Sequence, residues 1–178
     1  MIDWIGPAPA TIVHVEAGMG GYCLSLARDG HRVLGLDRDP TMVARARRMA
    51  QGEGLAHCVF LVADAQKSIP ASWEVDRILI LECWDRFSRP RDLLRSARAV
   101  MNPGARVLII TPNRQFPPLW WIANRIAGRY GPVFRDRFSF PRRIADLART
   151  TGFRLARSVP LHRGGTLAVT LVREDPDD

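Results

Sequence analysis

Short apolar, β-branched segments alternate with helix-forming segments along most of this chain. Continuous apolar strands that alternate with helices are typical of a parallel sheet covered by helices on both faces. The alternation therefore predicts an α/β domain. The predicted strands are residues 11–16, 32–37, 58–63, 75–81 and 106–111, and the predicted helices between them are residues 22–29, 40–51 and 88–101.

The pattern changes after the fifth predicted strand. Two helical segments, residues 117–129 and 141–151, follow one another. Two further strands, residues 154–161 and 166–173, are joined by a link that contains two adjacent glycines. A tight glycine-containing link favours an antiparallel hairpin, so the mostly parallel sheet is expected to have an antiparallel end.

The composition is that of a folded protein, because 47% of the residues are hydrophobic and 25% are charged. The length of 178 residues suits one full core, so residues 1–178 are predicted to form a single domain. No apolar run reaches the roughly 20 residues of a membrane span, and no signal peptide is recognisable. Three cysteines outside any CxxC pair and four histidines without ligand spacing predict a cytoplasmic protein with no metal site.

The net charge of +8 is concentrated in one segment. All but one of the 26 basic residues are arginine, and residues 113–143 contain seven arginines beside one acid, Asp136. Such a segment favours a phosphorylated or carboxylated substrate, a membrane surface or nucleic acid. Trp120, Trp121 and Tyr130 lie in it and are predicted to bind substrate, since tryptophan with arginine suits an amphipathic or anionic ligand. The alternative is an amphipathic helix packed on its own core.

A glycine-rich turn and two carboxylates follow three of the predicted strands. Gly18 and Gly20 come after the first strand, Asp37 closes the second, and Asp64 follows the third. The carboxyl ends of parallel strands meet at one sheet edge, where glycines let a ligand approach the backbone. Asp37 can accept both hydroxyls of a ribose, and Asp64 can receive an adenine amino group. Capping of the next helix is the alternative role of Asp37, although Asp39 already fills that position.

Seven segments carry a resemblance to a known family: residues 12–20, 30–37, 62–65, 76–82, 93–104, 111–113 and 148–153. They resemble class I S-adenosylmethionine-dependent methyltransferases, especially the small-molecule type 11 branch. The resemblance implies a three-layer, Rossmann-like, seven-stranded sheet, mostly parallel with an antiparallel C-terminal hairpin strand, and S-adenosylmethionine as the cofactor. A redox dinucleotide enzyme is not expected to end in this hairpin. The residues implied to bind the cofactor are His14, Glu16, Gly18, Gly20, Asp37, Arg38, Asp64, Ala65 and Glu82.

The glycine-rich turn departs from the family pattern. In an alignment without gaps, His14 replaces the family's acid and Glu16 replaces its first glycine. A second alignment gives Glu16 the acidic role and shortens the loop. Glu16 either crowds the methionine part of the cofactor or binds its amino group. Residues 1–9, ahead of the first strand, are expected to supply at most a flap over the cofactor.

The segment that follows the fourth strand, residues 82–87, also departs from the family pattern. Relatives often carry a Glu-His pair near Asp85 and Arg86. We therefore expect Asp85 to act as a base or Arg86 to bind an anion, as candidate catalytic residues. Trp84 is predicted to line the substrate pocket. The alternative is that Asp85 caps the next helix and that Arg86 is solvated.

The sequence predicts S-adenosylmethionine-dependent methyl transfer to a small, amphipathic or anionic acceptor. Two alternatives remain open: a catalytically degenerate methyltransferase fold that serves as a binding or assembly protein, and an RNA methyltransferase. The chain has no Asn-Pro-Pro-Tyr or Pro-Cys motif of base-modifying enzymes, so nucleic acid is the less favoured partner. Contact with a membrane surface, a protein partner or a second copy of the chain is also predicted.

Overall fold

The computed structural model describes residues 2–112, 141–161 and 166–174. Its helices are α1 (Ile2–Ile5), α2 (Gly21–Arg28), α3 (Pro40–Gly52), α4 (Pro90–Val100) and α5 (Pro141–Arg149). Its strands are β1 (Thr11–Val15), β2 (Arg32–Asp37), β3 (Cys58–Val62), β4 (Val75–Leu81), β5 (Met101–Pro112), β6 (Phe153–Leu161) and β7 (Thr166–Arg173). Short 3₁₀ turns at Ala71–Trp73 and Trp84–Arg86 flank β4.

The seven strands form one sheet in the order β3-β2-β1-β4-β5-β7-β6. Strands β1 to β5 are parallel, and β7 runs antiparallel to both β5 and β6. In the middle of the sheet Val15 lies beside Leu36 on one side and Ile80 on the other. This arrangement confirms the predicted fold class. The strand order reverses between β1 and β4, and ligands of such sheets bind at the carboxyl ends of the strands near this point.

Apolar residues on the two faces of the sheet form two separate cores. Along β1, Ile12 belongs to one core and Val13 to the other, because successive side chains of a strand point to opposite faces. Helices α4 and α5 cover the Val13 face, and α1, α2 and α3 cover the Ile12 face. Full burial of one such side chain contributes about 2 kcal/mol. The two cores produce the three predicted layers.

Strand β5 begins earlier than the sequence predicts. Met101 already pairs with Val75, so the residues expected to end the preceding helix lie within the strand. The register then shifts between Val75 and Arg77, which accommodates the left-handed Gly104 (φ +68°). The side-chain amide of Asn102 donates to Asp76 Oδ1 at 2.8 Å and holds this irregular start in place.

The N-terminus of α3 is capped as the sequence predicts. Asp39 Oδ1 accepts hydrogen bonds from the backbone N–H groups of Thr41 at 2.7 Å and Met42 at 3.4 Å. Pro40 occupies the first helical position, where its missing N–H group costs nothing. Asp39 therefore satisfies donors that the helix itself leaves unpaired.

Substitution Asp39→Ala is expected to lower the free energy of unfolding by about 1 kcal/mol, because two backbone donors lose their acceptor. Urea unfolding monitored by circular dichroism measures the change. Asp146→Ala is the matched control, since this exposed carboxylate forms a surface ion pair with Arg149, at 3.4 Å, and its loss is expected to change stability by less than about 0.5 kcal/mol. Equal losses in the two variants would contradict the capping role.

The segment before β1 packs against a face of the sheet instead of forming a flap over the cofactor. Ile5 is buried in the core of the Ile12 face, and Trp4 Nε1 donates to Thr170 Oγ1 of β7 at 3.0 Å. Arg77 Nε donates to the carbonyl of Ile5 at 3.1 Å. The apolar side chains of Trp4 and Ile5 are more stable against the sheet than over an open cleft. Arg77 therefore contacts the end of a helix, since Ile5 is the last residue of α1.

Some predicted features lie outside the described residues, among them the helix 117–129 and the glycine-containing link 162–165. The three cysteines are free and buried. Across the described ranges, no helix combines the length and apolarity needed to cross a bilayer.

Candidate functional site

A tight turn joins β1 to α2 at the carboxyl edge of the sheet. Three of its residues have a left-handed backbone: Glu16 at φ +56°, Gly18 at φ +57° and Gly20 at φ +82°. The Ala17 N–H group donates to Leu36 O at 2.9 Å, and the Gly20 N–H group donates to Ala17 O at 3.0 Å. The turn is therefore fastened to β2 and leads directly into α2, whose first N–H groups remain available to a ligand.

Asp37 at the end of β2 is fixed to this turn. Its Oδ2 accepts from the Gly18 N–H group at 2.7 Å, and its Oδ1 accepts from the Asp39 N–H group at 2.9 Å. Each carboxylate oxygen has a second lone pair, so the group can still accept two hydroxyl donors. Because Asp39 caps α3, helix capping does not account for Asp37.

Glu16 and Arg38 form an ion pair across the turn. Arg38 Nε donates to Glu16 Oε1 at 2.9 Å, and Arg38 Nη2 lies 3.5 Å from Glu16 Oε2. The hydrogen bond to Glu16 raises the pKa of Arg38, and the charges of Asp64 and Asp37 act in the same direction. These four residues therefore share one small region of the sheet edge.

The position of Glu16 favours the alignment without gaps. Strand β1 ends at Val15, and Glu16 has the left-handed backbone that glycine adopts without strain. Glu16 therefore lies in the turn, where the alignment without gaps places the family's first glycine, and His14 lies within β1, one residue before its end.

His14 lies beneath the turn instead of facing a ligand, since only 3% of its surface is exposed. Its Nδ1 is 3.4 Å from Cys23 Sγ, and its ring packs edge-to-face against Tyr22 at a centroid distance of 5.9 Å. Burial lowers the pKa of His14 to about 4, although the charge of Asp37 opposes this shift. The neutral imidazole therefore supports α2 from below.

Asp64 lies just beyond β3, on the same edge as Asp37. The Ala63 N–H group donates to Asp37 O at 2.9 Å, which joins the two strand ends. Asp64 Oδ1 accepts from the Gln66 N–H group at 3.0 Å, so the carboxylate is oriented and half-buried. Ala65 is buried, and its carbonyl accepts from the Ser96 hydroxyl of α4.

The end of β4 approaches the same region from the other side. Glu82 is exposed and left-handed at φ +58°, and its N–H group donates to Ile110 O of β5 at 2.7 Å. Asp85 is half-buried and Arg86 is exposed. Burial raises the pKa of Cys83 to about 12, and charges from three strand ends modulate it, namely those of Glu16, Arg86, Asp85 and Asp37.

The structure corrects the expectation for Trp84. Its side chain has no exposed surface and belongs to the core on the Val13 face, together with Phe87. Packing against this core removes a large apolar surface from water, so Trp84 supports the turn after β4 and does not line an open pocket. Asp85 does not fill the N-cap position of α4, which is Arg89.

Phe60 is a residue of the site that sequence reasoning missed. A Cβ atom placed on Gly20 would lie 2.5 Å from the Phe60 ring, and one placed on Gly35 would lie 2.4 Å from it. The ring thus fills the space that both glycines leave and supports the turn. A glycine inside an otherwise apolar strand is the available signal, because it often marks a close approach.

The described charges at this edge are mostly acidic, although the chain carries a net charge of +8. Five carboxylates stand against two guanidinium groups, which leaves a net charge of −3. Such an edge suits a ligand with positive charge and hydroxyl donors, as the sulfonium, ammonium and ribose groups of S-adenosylmethionine provide. The residues counted are Glu16, Asp37, Asp64, Glu82 and Asp85 against Arg38 and Arg86. Trp120, Trp121 and Tyr130 lie outside the described residues.

The fold and this edge together define a Rossmann-like methyltransferase domain. Residues 13–109 match the family model Methyltransf_11, described as a methyltransferase domain. The chain belongs to this family of S-adenosylmethionine-dependent methyltransferases, and membership implies S-adenosylmethionine as the cofactor.

Two curated relatives illustrate the range of the similarity. The chain is 32% identical over 83 residues to 23S rRNA (uracil(1939)-C(5))-methyltransferase RlmD of Shewanella sp. strain MR-4. This match covers 44% of this chain and 18% of the relative. It is 30% identical over 113 residues to ubiquinone biosynthesis O-methyltransferase of Sodalis glossinidius, with coverage of 61% and 44%. The chain therefore spans less than half the length of each.

Two solved structures share the fold. Mitomycin 7-O-methyltransferase MmcR has a TM-score of 0.75 at 25% identity, and the match covers 93% of this chain and 49% of that one. An S-adenosylmethionine dependent methyltransferase from Mesorhizobium loti has a TM-score of 0.75 at 17% identity, with coverage of 96% and 95%. The second match shows the fold alone.

Proposed function

We propose that this chain binds S-adenosylmethionine at the carboxyl edge of β1, β2 and β3 and transfers its methyl group to a small, amphipathic or anionic acceptor. The observation that carries the proposal is the Asp37 carboxylate, which two backbone N–H groups hold at the mouth of the glycine-rich turn. Family membership and the acidic character of the edge support it further.

The proposed roles of the chain's residues are binding and orientation. Asp37 accepts the two ribose hydroxyls, and Asp64 accepts from the adenine amino group. When bound, the cofactor supplies an electrophilic methyl on a sulfonium, so the chain has to hold the acceptor atom in line and exclude water. Asp85 accepts a proton where the acceptor has to lose one, and the exposed Arg86 binds its anionic group.

The proposed acceptor class rests on the basic, aromatic segment 113–143. Seven arginines favour an anionic group, and two adjacent tryptophans favour an apolar body. One relative is named for ubiquinone biosynthesis and another for 23S rRNA. RNA is the second candidate acceptor, and binding of labelled single-stranded RNA that weakens steeply between 50 and 200 mM salt would favour it over a small molecule.

Isothermal calorimetry with S-adenosylmethionine tests the proposed cofactor site. We expect the wild-type chain to bind and Asp37→Asn to bind about 100-fold more weakly, because two charge-assisted hydrogen bonds lose their acceptor charge. Asp146→Asn, which changes an exposed carboxylate on α5, is the matched control and is expected to bind like the wild type.

Folded wild-type chain that gives no heat with S-adenosylmethionine would overturn the proposal and favour a binding or assembly role for a degenerate fold. Equal affinities of the wild type and Asp37→Asn for S-adenosylmethionine would show that the cofactor does not bind to Asp37. Thermal melts of each variant establish that the compared proteins are folded.

A further inference from the structure

Glu16 is an unusual residue for its position in the turn. Its backbone has φ +56°, a left-handed conformation that strains residues other than glycine. An ion pair near the surface contributes little to stability, and Arg38 is half exposed, so the contact with Arg38 does not offset this strain. Glycine at this position would give the more stable turn, which points to a functional reason for the glutamate.

The ion pair stands directly beside the carboxylate that anchors the cofactor. Arg38 follows Asp37 in the chain, and Glu16 lies two residues before Gly18, whose N–H group binds Asp37 Oδ2 at 2.7 Å. The Glu16 side chain is 14% exposed and the Arg38 side chain 48% exposed. One anionic and one cationic group therefore meet, 2.9 Å apart, next to the proposed ribose site.

A zwitterion matches such a pair. An α-amino acid carries an ammonium and a carboxylate on the same carbon atom. The ammonium can pair with Glu16 in place of Arg38, and the carboxylate can pair with Arg38 in place of Glu16. The exchange leaves the local charge unchanged, so no unpaired charge is created when the ligand enters. A nucleoside without an amino-acid end offers no such exchange and leaves the ion pair intact.

We propose that Glu16 and Arg38 together bind the amino-acid end of the cofactor, with Glu16 accepting from its α-ammonium and Arg38 donating to its α-carboxylate. This inference rests on the proposed function. It makes the ion pair a selectivity device that distinguishes ligands with an amino-acid end from plain nucleosides.

The test compares two ligands that share the adenosyl thioether. S-adenosylhomocysteine carries the amino-acid end, and 5′-methylthioadenosine lacks it. Calorimetry gives the ratio of their dissociation constants for the wild type, Glu16→Gly and Arg38→Gln. We expect S-adenosylhomocysteine to bind the wild type about 100-fold more tightly, and each substitution to reduce this ratio about tenfold while the affinity for methylthioadenosine changes little.

Two further variants separate recognition from a structural role. Glu53→Gln breaks another surface ion pair, which joins Glu53, directly after α3, to Arg28 of α2 at 2.6 Å, and is expected to keep the wild-type ratio. The double substitution Glu16→Arg with Arg38→Glu preserves the mutual ion pair but exchanges its charges, so it is expected to lose the preference. Glu16→Gly suits the left-handed backbone and is expected to fold.

Three results would overturn the inference. A ratio that stays at the wild-type value in Glu16→Gly and Arg38→Gln, with both ligands bound more tightly, would mean that the ion pair merely obstructs the site. That result would overturn the inference and leave the cofactor site standing. Retention of the preference by the charge-exchanged chain would also overturn it. Failure of the wild type to bind either ligand would overturn the proposed function and this inference with it.

Discussion

Gly20→Ala is expected to lower the free energy of unfolding by about 3 kcal/mol and to weaken cofactor binding. The added Cβ atom would lie 2.5 Å from the ring of Phe60 and 3.2 Å from the Cβ of Ala46. The ring is buried between the turn and β2, so relief requires displacement of packed groups, which costs about 1–3 kcal/mol. The left-handed backbone, φ +82°, adds about 1–2 kcal/mol.

Gly18→Ala is the matched control for stability, because Gly18 is also left-handed but has open space where a Cβ would be. It is expected to lose only about 1 kcal/mol, from backbone strain alone. Urea unfolding at pH 7.5 measures both losses. Phe60→Leu in the Gly20→Ala background should recover part of the stability, since the smaller side chain relieves the overlap. Equal losses for the two glycines, or no coupling with Phe60, would contradict the role assigned to the ring.

Acid is expected to destabilise the fold through the buried His14. His14 is buried and neutral, with its pKa lowered to about 4, whereas an unfolded chain has a histidine pKa of about 6.5. Below pH 6.5 the His14 side chain takes up a proton in the unfolded state but stays neutral in the folded state until the pH approaches 4. The contribution of His14 is therefore complete above pH 6.5 and is lost between pH 6.5 and 4, by up to about 3 kcal/mol.

His14→Gln removes this titration and keeps a polar side chain of similar size. The free energy of unfolding, measured at pH 7.5 and pH 4.5 for both proteins, isolates the effect, because all other titrating groups are shared. We expect the wild type to lose about 2–3 kcal/mol more than the variant over this interval. Parallel losses would show that His14 titrates in the folded state as it does in the unfolded chain.

Much of the fold follows from local patterns. The apolar strands are buried on both faces, so their sequences are continuous and easily recognised, and Asp39-Pro40 marks the start of α3 without tertiary information. The start of β5 does not follow from such patterns, because the pairing of Met101 with Val75 overrides a sequence that favours a turn. Long-range pairing of this kind leaves no periodic signal in the strand itself.

In the site as well, some residues follow from local patterns and others depend on long-range packing. Asp37 lies at the end of β2, where the strand pattern places it. The prediction that Asp39, and not Asp37, caps α3 is also confirmed. Trp84 follows a strand end, as a pocket residue would, but only the packed structure shows that it points into the core. Phe60 is missed because a phenylalanine within a strand is ordinary, and its contact with two glycines depends on how β2, β3 and the turn come together.

The location of Phe60 has a thermodynamic consequence for the whole cofactor edge. Its strand, β3, lies at the margin of the sheet, and β2 is its one partner among the described strands. Marginal strands detach from native proteins in local openings that require less energy than global unfolding. Each such opening would withdraw the ring from Gly20 and Gly35, so the turn and the sheet margin behave as one cooperative unit. A ligand held at the turn would then also suppress fraying of β3 at the sheet margin.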